Sequence, residues 1–165
     1  MDGDLDILDI VLRLGAATAA GMLIGLNRDM ADKPIGMRTL GLVALGAALA
    51  SLAVIEVKDL SDHPDALSRV VQGIIQGIMA GISFIGAGVI LRDWESKTVE
   101  GLTTAACVWV TAALGIACGL GAWTIVGVAL LFALALLVAV GWLERITPNP
   151  STGDKPKRRR TDKSS

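Results

Sequence analysis

Between Glu100 and Glu144 the sequence has no Asp, Glu, Lys, Arg or His at all. A helix needs about 20 apolar residues to cross the hydrocarbon core of a bilayer, so this run holds two crossings back to back. A soluble domain of 165 residues has no interior large enough to hide it. Composition agrees, at 53% hydrophobic and 19% charged with a mean hydropathy of +0.61, against about 45–50% and about 25% for soluble domains. The protein is expected to be an integral membrane protein.

Clusters of charge divide the remainder into further spans. Five are expected, over Ile10–Leu26, Thr39–Ile55, Val70–Leu91, Gly101–Leu120 and Ala122–Leu143, with a tight turn at Gly119–Gly121 joining the last two. In lipid every backbone polar group must be paired within the protein, so spans of this length are helices. The expected fold class is therefore all-α, a polytopic membrane helix bundle of five transmembrane helices. Residues 1–143 form the bundle, and residues 144–165 a basic, disordered cytoplasmic tail. The first nine residues carry Asp2, Asp4, Asp6 and Asp9 and no base. A cleaved signal sequence opens with positive charge, so the first span is expected to be retained. Cys107 and Cys118 fall inside apolar runs and read as small buried residues.

Orientation follows from the placement of Lys and Arg. With the N-terminus outside and the C-terminus cytoplasmic, 12 of the 15 bases lie inside, and only Arg13, Lys58 and Arg69 lie outside. Glycines recur at four-residue spacing: Gly21 with Gly25, Gly73 with Gly77 and Gly81, and Gly115 with Gly119, and Gly86 and Gly88 continue the third span. Stacked glycines let helix backbones approach closely where water supplies no hydrophobic drive. Packing within one subunit is the expected use, with a homodimer seam as the alternative.

The first cytoplasmic connection concentrates the charge, with Arg28, Asp29, Asp32, Lys33 and Arg38 around Pro34 and Gly36. Pro34 and Gly36 favour a turn, which would let Arg28 and Arg38 face each other across a tight hairpin. One reading is topological, with the bases holding the loop inside and snorkelling to headgroups. The other is a specific polar network that binds an anion, a lipid headgroup or a partner.

The stretch Gly21–Gly46 resembles the opening motif of the MgtC/SapB family of bacterial inner-membrane proteins. Two further blocks agree, in order: Phe84–Leu91 resembles the family's glycine-rich third span, and Gly101–Gly115, with its Thr103, Thr104, Trp109 and Thr111, resembles the fourth. The resemblance covers Ile10 to Gly121. It implies a five-span domain linked to low-magnesium adaptation, acid tolerance and intracellular survival, regulating other membrane proteins more than transporting. The positions that carry over are Arg28, Lys33, Gly36, Arg38, Thr39, Gly86, Gly88, Gly101, Thr103 and Thr104, and Asp29 joins them as a candidate functional polar group. Asn27 stands where many members have Glu, and a short basic tail is expected where the larger virulence factors have a soluble C-terminal domain.

Other polar residues have simpler readings. Gln72 and Gln76 lie one turn apart on the third span, as interhelical hydrogen-bonding groups or as the lining of a polar path. His63 stands in an acidic external loop with Asp59, Asp62 and Asp65, compatible with weak divalent-cation binding. No nucleophile–base–orienter set is visible, so no catalytic, metal or cofactor site is expected. The basic tail is expected to contact anionic lipid, not nucleic acid. Two functions compete: a regulatory protein that packs against other membrane proteins, and a small oligomeric cation transporter lined by Gln72, Gln76, Thr103 and Thr104.

Overall fold

In a computed structural model of the protein, residues 6–55, 64–92 and 99–146 are described. Five helices follow one another: α1 (Ile7–Asp29), α2 (Met37–Ile55), α3 (Pro64–Val89), α4 (Leu102–Gly119) and α5 (Trp123–Ile146). Between α3 and α4, β1 (Leu91–Arg92) and β2 (Val99–Glu100) pair antiparallel, with Leu91 opposite Glu100 and Arg92 opposite Val99. The protein is an all-α membrane helix bundle, this two-residue ladder apart. The helices α1 to α4 are long and apolar enough to cross a membrane. Helix α5 has 24 residues, and its apolar stretch is described over Trp123–Ala139.

The helices outrun the expected spans. Helix α1 begins at Ile7, α3 at Pro64, and α5 continues to Ile146. Asp9, Arg28, Asp29, Asp65 and Arg69 thereby fall inside helices, because a helix extends past the hydrocarbon and only its central turns must be apolar. The acids Asp2, Asp4, Asp59 and Asp62, the histidine His63, the cluster Asp93, Glu95 and Lys97, and residues 147–165 of the basic tail lie outside the described residues.

Helix α4 is the hub and touches the other four. Its contact with α2 is set by glycine. A Cβ on Gly115 would come within 2.9 Å of Ala47 Cβ, and one on Gly119 within 2.9 Å of Ser51 Cβ. The α1–α2 contact is built likewise, since a Cβ on Gly21 would lie 2.9 Å from Ala44 Cβ and one on Gly25 2.7 Å from the Met37 nitrogen. The core is correspondingly small-grained, with Ala17, Ala44, Ala48 and Cys118 packed around Ile24, Leu40 and Val108. Close backbone approach supplies dispersion contact where lipid tails compete equally for apolar groups.

The α4–α5 turn closes as a Schellman motif. The Gly121 N–H donates to the Cys118 carbonyl (3.0 Å) and the Ala122 N–H to the Ala117 carbonyl (2.9 Å). Gly121 takes φ +73, the left-handed conformation such a helix end requires. The expected turn is thus present, with Gly119 still helical.

Candidate functional site

The bundle has two polar ends. At one, Arg13 on α1 pairs through Nε with Asp9 Oδ2 at 2.7 Å, one turn back, and donates from Nη1 to the Gly119 carbonyl at 2.9 Å. That carbonyl belongs to the last turn of α4, where the helix itself has no N–H left to donate. The Arg13 guanidinium therefore caps the C-terminal end of α4. It lies against Gly121, where a Cβ would approach Nη1 to 2.8 Å.

The other end holds the residues singled out by sequence. Arg28 is only 4% exposed although it is the penultimate residue of α1. Its Nη2 donates to the buried hydroxyl of Thr104 on α4, and its Nε has no hydrogen-bond partner among the described residues. Gly101 precedes α4 with φ +90, a conformation a side chain would strain, and a Cβ there would lie 3.0 Å from the Val89 carbonyl carbon. The end of α3 is thereby brought against the start of α4, near Thr104. A guanidinium offers five donors, so this is a positive group held inside the bundle by a neutral acceptor.

Asp29, the next residue, turns the opposite way. Its Oδ2 accepts the Met37 N–H at 2.9 Å, so the last residue of α1 caps the first of α2. Gly36 is required for space and not for turning, because a Cβ there would overlap the Asp29 carboxylate. The left-handed positions in this connection are Asp32 (φ 50) and Ile35 (φ 63). The Ala31 and Lys33 N–H groups both donate to the Arg28 carbonyl, at 3.1 Å each, and close the turn. Replacing Asp29 with alanine is expected to cost about 1 kcal/mol, the usual value of such a cap. Asparagine, which accepts equally well, should retain most of it. Thermal unfolding in detergent distinguishes the two, and equal losses would show that charge and not capping is at stake.

The remaining expected site residues do not converge. Lys33, Arg38, Thr39 and Thr103 are exposed, and Arg28 and Arg38 do not face each other, because Arg28 points into the bundle and Arg38 out of it. Thr39 borders an open apolar groove between α2 and α3, about 410 Å³ in volume, floored by Gly46, Ala47 and Gly81. Gln72 and Gln76 are exposed on α3. Of the expected packing glycines, Gly21 and Gly25 are closed against α2, and Gly86 lies in ordinary contact with Ala105 (3.6 Å from its Cβ position). Gly73, Gly77, Gly81 and Gly88 have nothing within 4 Å of a Cβ position. Among the described residues the expected packing of these four within one subunit is not made, because α3 turns Ile75, Ile78, Met79 and Ile82 inward instead.

Sequence reasoning misses Arg13 as a cap, and Thr111 as a fully buried hydroxyl without a partner among the described residues. It also places Arg28 among the loop charges. The signal for its burial is nonetheless in the sequence, since Ala17, Gly21, Ile24, Gly25 and Arg28 form one stripe at helical spacing, and all five are buried.

The profile of the MgtC family matches residues 14–146. Among curated proteins, this one is 42% identical over 149 residues to protein SrpB of Synechococcus elongatus, which covers 86% of this chain and 80% of that protein. It is 36% identical over 140 residues to protein SapB of Bacillus subtilis (83% of this chain, 59% of that protein). With protein MgtC of Salmonella typhimurium it shares 41% identity over 111 residues, 67% of this chain but 43% of that protein. The match thus spans most of the cyanobacterial relative and about half of the other two. No solved structure matches it. With a family match running from α1 to the end of α5, and three ordered blocks of sequence that point the same way, the chain belongs to the MgtC family, the MgtC/SapB group of membrane proteins.

Proposed function

We propose that this protein is a regulatory or stress-adaptation protein of the bacterial inner membrane, acting through contact with other membrane proteins under low magnesium, acid or intracellular growth. The observation that carries this reading is the dispersal of the groups a path would need. Thr104 is buried and engaged by Arg28, whereas Thr103, Gln72 and Gln76 lie on the outside of the bundle. Ion pathways are usually marked by ionisable groups around a polar cavity, and among the described residues these side chains do not converge on one. Membership of the MgtC family supports the stress-adaptation part of the reading. The exposed bases Lys33 and Arg38, at the end where Arg28 is locked inward, supply a surface for partners or anionic headgroups.

Magnesium flux into liposomes carrying the purified full-length protein tests this. No flux above protein-free vesicles is the expected result. Flux that appears with the protein and disappears with Gln76→Leu would replace the regulatory reading with the transporter, which would have to be oligomeric because Gln76 faces outward.

A further inference from the structure

The groove between α2 and α3 is open at one end and blind at the other. Leu42, Val43 and Gly46 form one wall and Ile78, Ile82 and Ile85 the other, with Ala47 at the base. It runs along α2 from Thr39 to Ala47, about 12 Å at 1.5 Å per residue. One leaflet of hydrocarbon is about 15 Å deep. Past Ala47, near the middle of α2, the two helices close, and the space that Ser51 and Val54 share with Val71 and Ile74 does not admit a water molecule. The groove therefore serves a single leaflet.

Its lining says what fills it. A water molecule needs several polar partners, and Thr39 is the one polar side chain in the lining. A helix laid along α2 and α3 would run the full depth of the membrane, whereas the groove occupies half of it. Charge marks the open end. Arg38 lies one turn before Leu42, on the same wall of α2, and is exposed. Side chains on a helix lean toward its N-terminus, so Arg38, in the first turn of α2, reaches toward the membrane surface from the mouth of the groove. Lys33 is exposed in the connection before it. Asp29 is taken up by the Met37 N–H, which leaves Asp32 as the acid set against these two bases in the connection.

A positive mouth with one hydroxyl, over an apolar shaft the length of one leaflet, is complementary to an anionic amphiphile. We propose that this groove is a binding site for an anionic glycerophospholipid. One acyl chain lies between α2 and α3, and the phosphate sits on Arg38, with Lys33 and the Thr39 hydroxyl beside it. Basic pockets between membrane helices hold such headgroups by charge, and a guanidinium meets a phosphate with two parallel N–H bonds. Glycine makes the room for the chain, since nothing lies within 4 Å of a Cβ position at Gly46 or Gly81. The site goes beyond the proposed function and needs no partner protein.

Photo-crosslinking of the full-length protein in phosphatidylcholine nanodiscs tests it, with diazirine-bearing phosphatidylglycerol or phosphatidylcholine as the probe. Phosphatidylglycerol should label Leu42, Ile82 and Ile85 in preference to Leu131, Phe132 and Leu136 on the exposed apolar side of α5. Gly46→Leu should fill the groove and remove that preference, and Gly81→Leu should do the same from α3. Both positions have room for a side chain, so helix content should not change. Arg38→Gln should keep the label in the groove but lower the preference for phosphatidylglycerol over phosphatidylcholine about fivefold, the value of one base at a membrane surface. Labelling of α5 equal to that of the groove, equal labelling by the two lipids, or a preference unchanged in Arg38→Gln or in both glycine variants would each overturn the site. A groove left unlabelled, as a protein segment seated in it would leave it, would overturn it too.

Discussion

Gly115→Leu is expected to prevent the protein from accumulating in folded form in the membrane. A Cβ at this position would meet Ala47 Cβ at 2.9 Å and overlap the Ala44 carbonyl. Neither obstacle can move alone, because both belong to the backbone of α2 or sit directly on it. Extra volume in a packed core commonly costs about 1–3 kcal/mol when side chains can yield. Here only helix separation relieves the clash, and α4 touches all four other helices, so a loss of more than about 4 kcal/mol is expected. Membrane-fraction yield and the unfolding midpoint of purified protein read the effect, with Gly77→Leu as the control that keeps its fold. A Gly115→Leu protein with wild-type yield and midpoint would mean that α2 and α4 are not apposed as described.

The second large effect concerns Arg28, and it has an unusual ordering. Thr104→Val removes the hydroxyl that Nη2 uses and leaves a buried charge with its Nε already unpartnered. Leaving a buried charged donor unsatisfied costs about 1–3 kcal/mol or more. Arg28→Met removes the charge itself and fills similar volume, an exchange that is often neutral or stabilising for buried ionic groups. The more drastic substitution should therefore be the milder one for stability. The double variant should be no worse than Arg28→Met alone, a clear departure from additivity. Unfolding of the three variants in one detergent checks the order. If Thr104→Val leaves the midpoint unchanged, Thr104 is not what holds the guanidinium. If Arg28→Met folds well but fails in the cell, the charge serves function and not the fold.

Much of the bundle is legible in the sequence, because a charge-free run must be hidden in lipid and only helices can hide it. What hydropathy reads is contact with lipid, not the extent of a helix. That is why Pro64–Arg69 on α3 and Glu144–Ile146 on α5 fall outside the expected spans. The glycines show the deeper limit. Four-residue spacing says that two or three glycines share a face, but gives no information on what that face meets. Gly73, Gly77 and Gly81 form the longest such series, yet the shorter pair Gly115 and Gly119 is the one that closes the core. The hairpin shows the same limit, for Arg28 and Arg38 are both bases near one turn. The phase of α1 against α4 decides which is buried, and no count along the loop supplies it. Asp29 as a cap is legible only in part, because its recipient Met37 lies eight residues on, across a turn whose left-handed positions are Asp32 and Ile35.

The adjacent side chains of Arg28 and Asp29 have a mechanical consequence. One is anchored sideways to α4 and the other forward to the start of α2, so α1 cannot spin about its own axis without tearing both attachments. This end of the molecule is braced against torsion. The α1, α2 and α4 rods must travel as one block, held at the far end by Arg13 on Gly119. Helix α5 leans on α4 and more lightly on α1 and bears no comparable tether among the described residues. Of the five helices, α5 is therefore the one whose tilt against that block would break the fewest contacts.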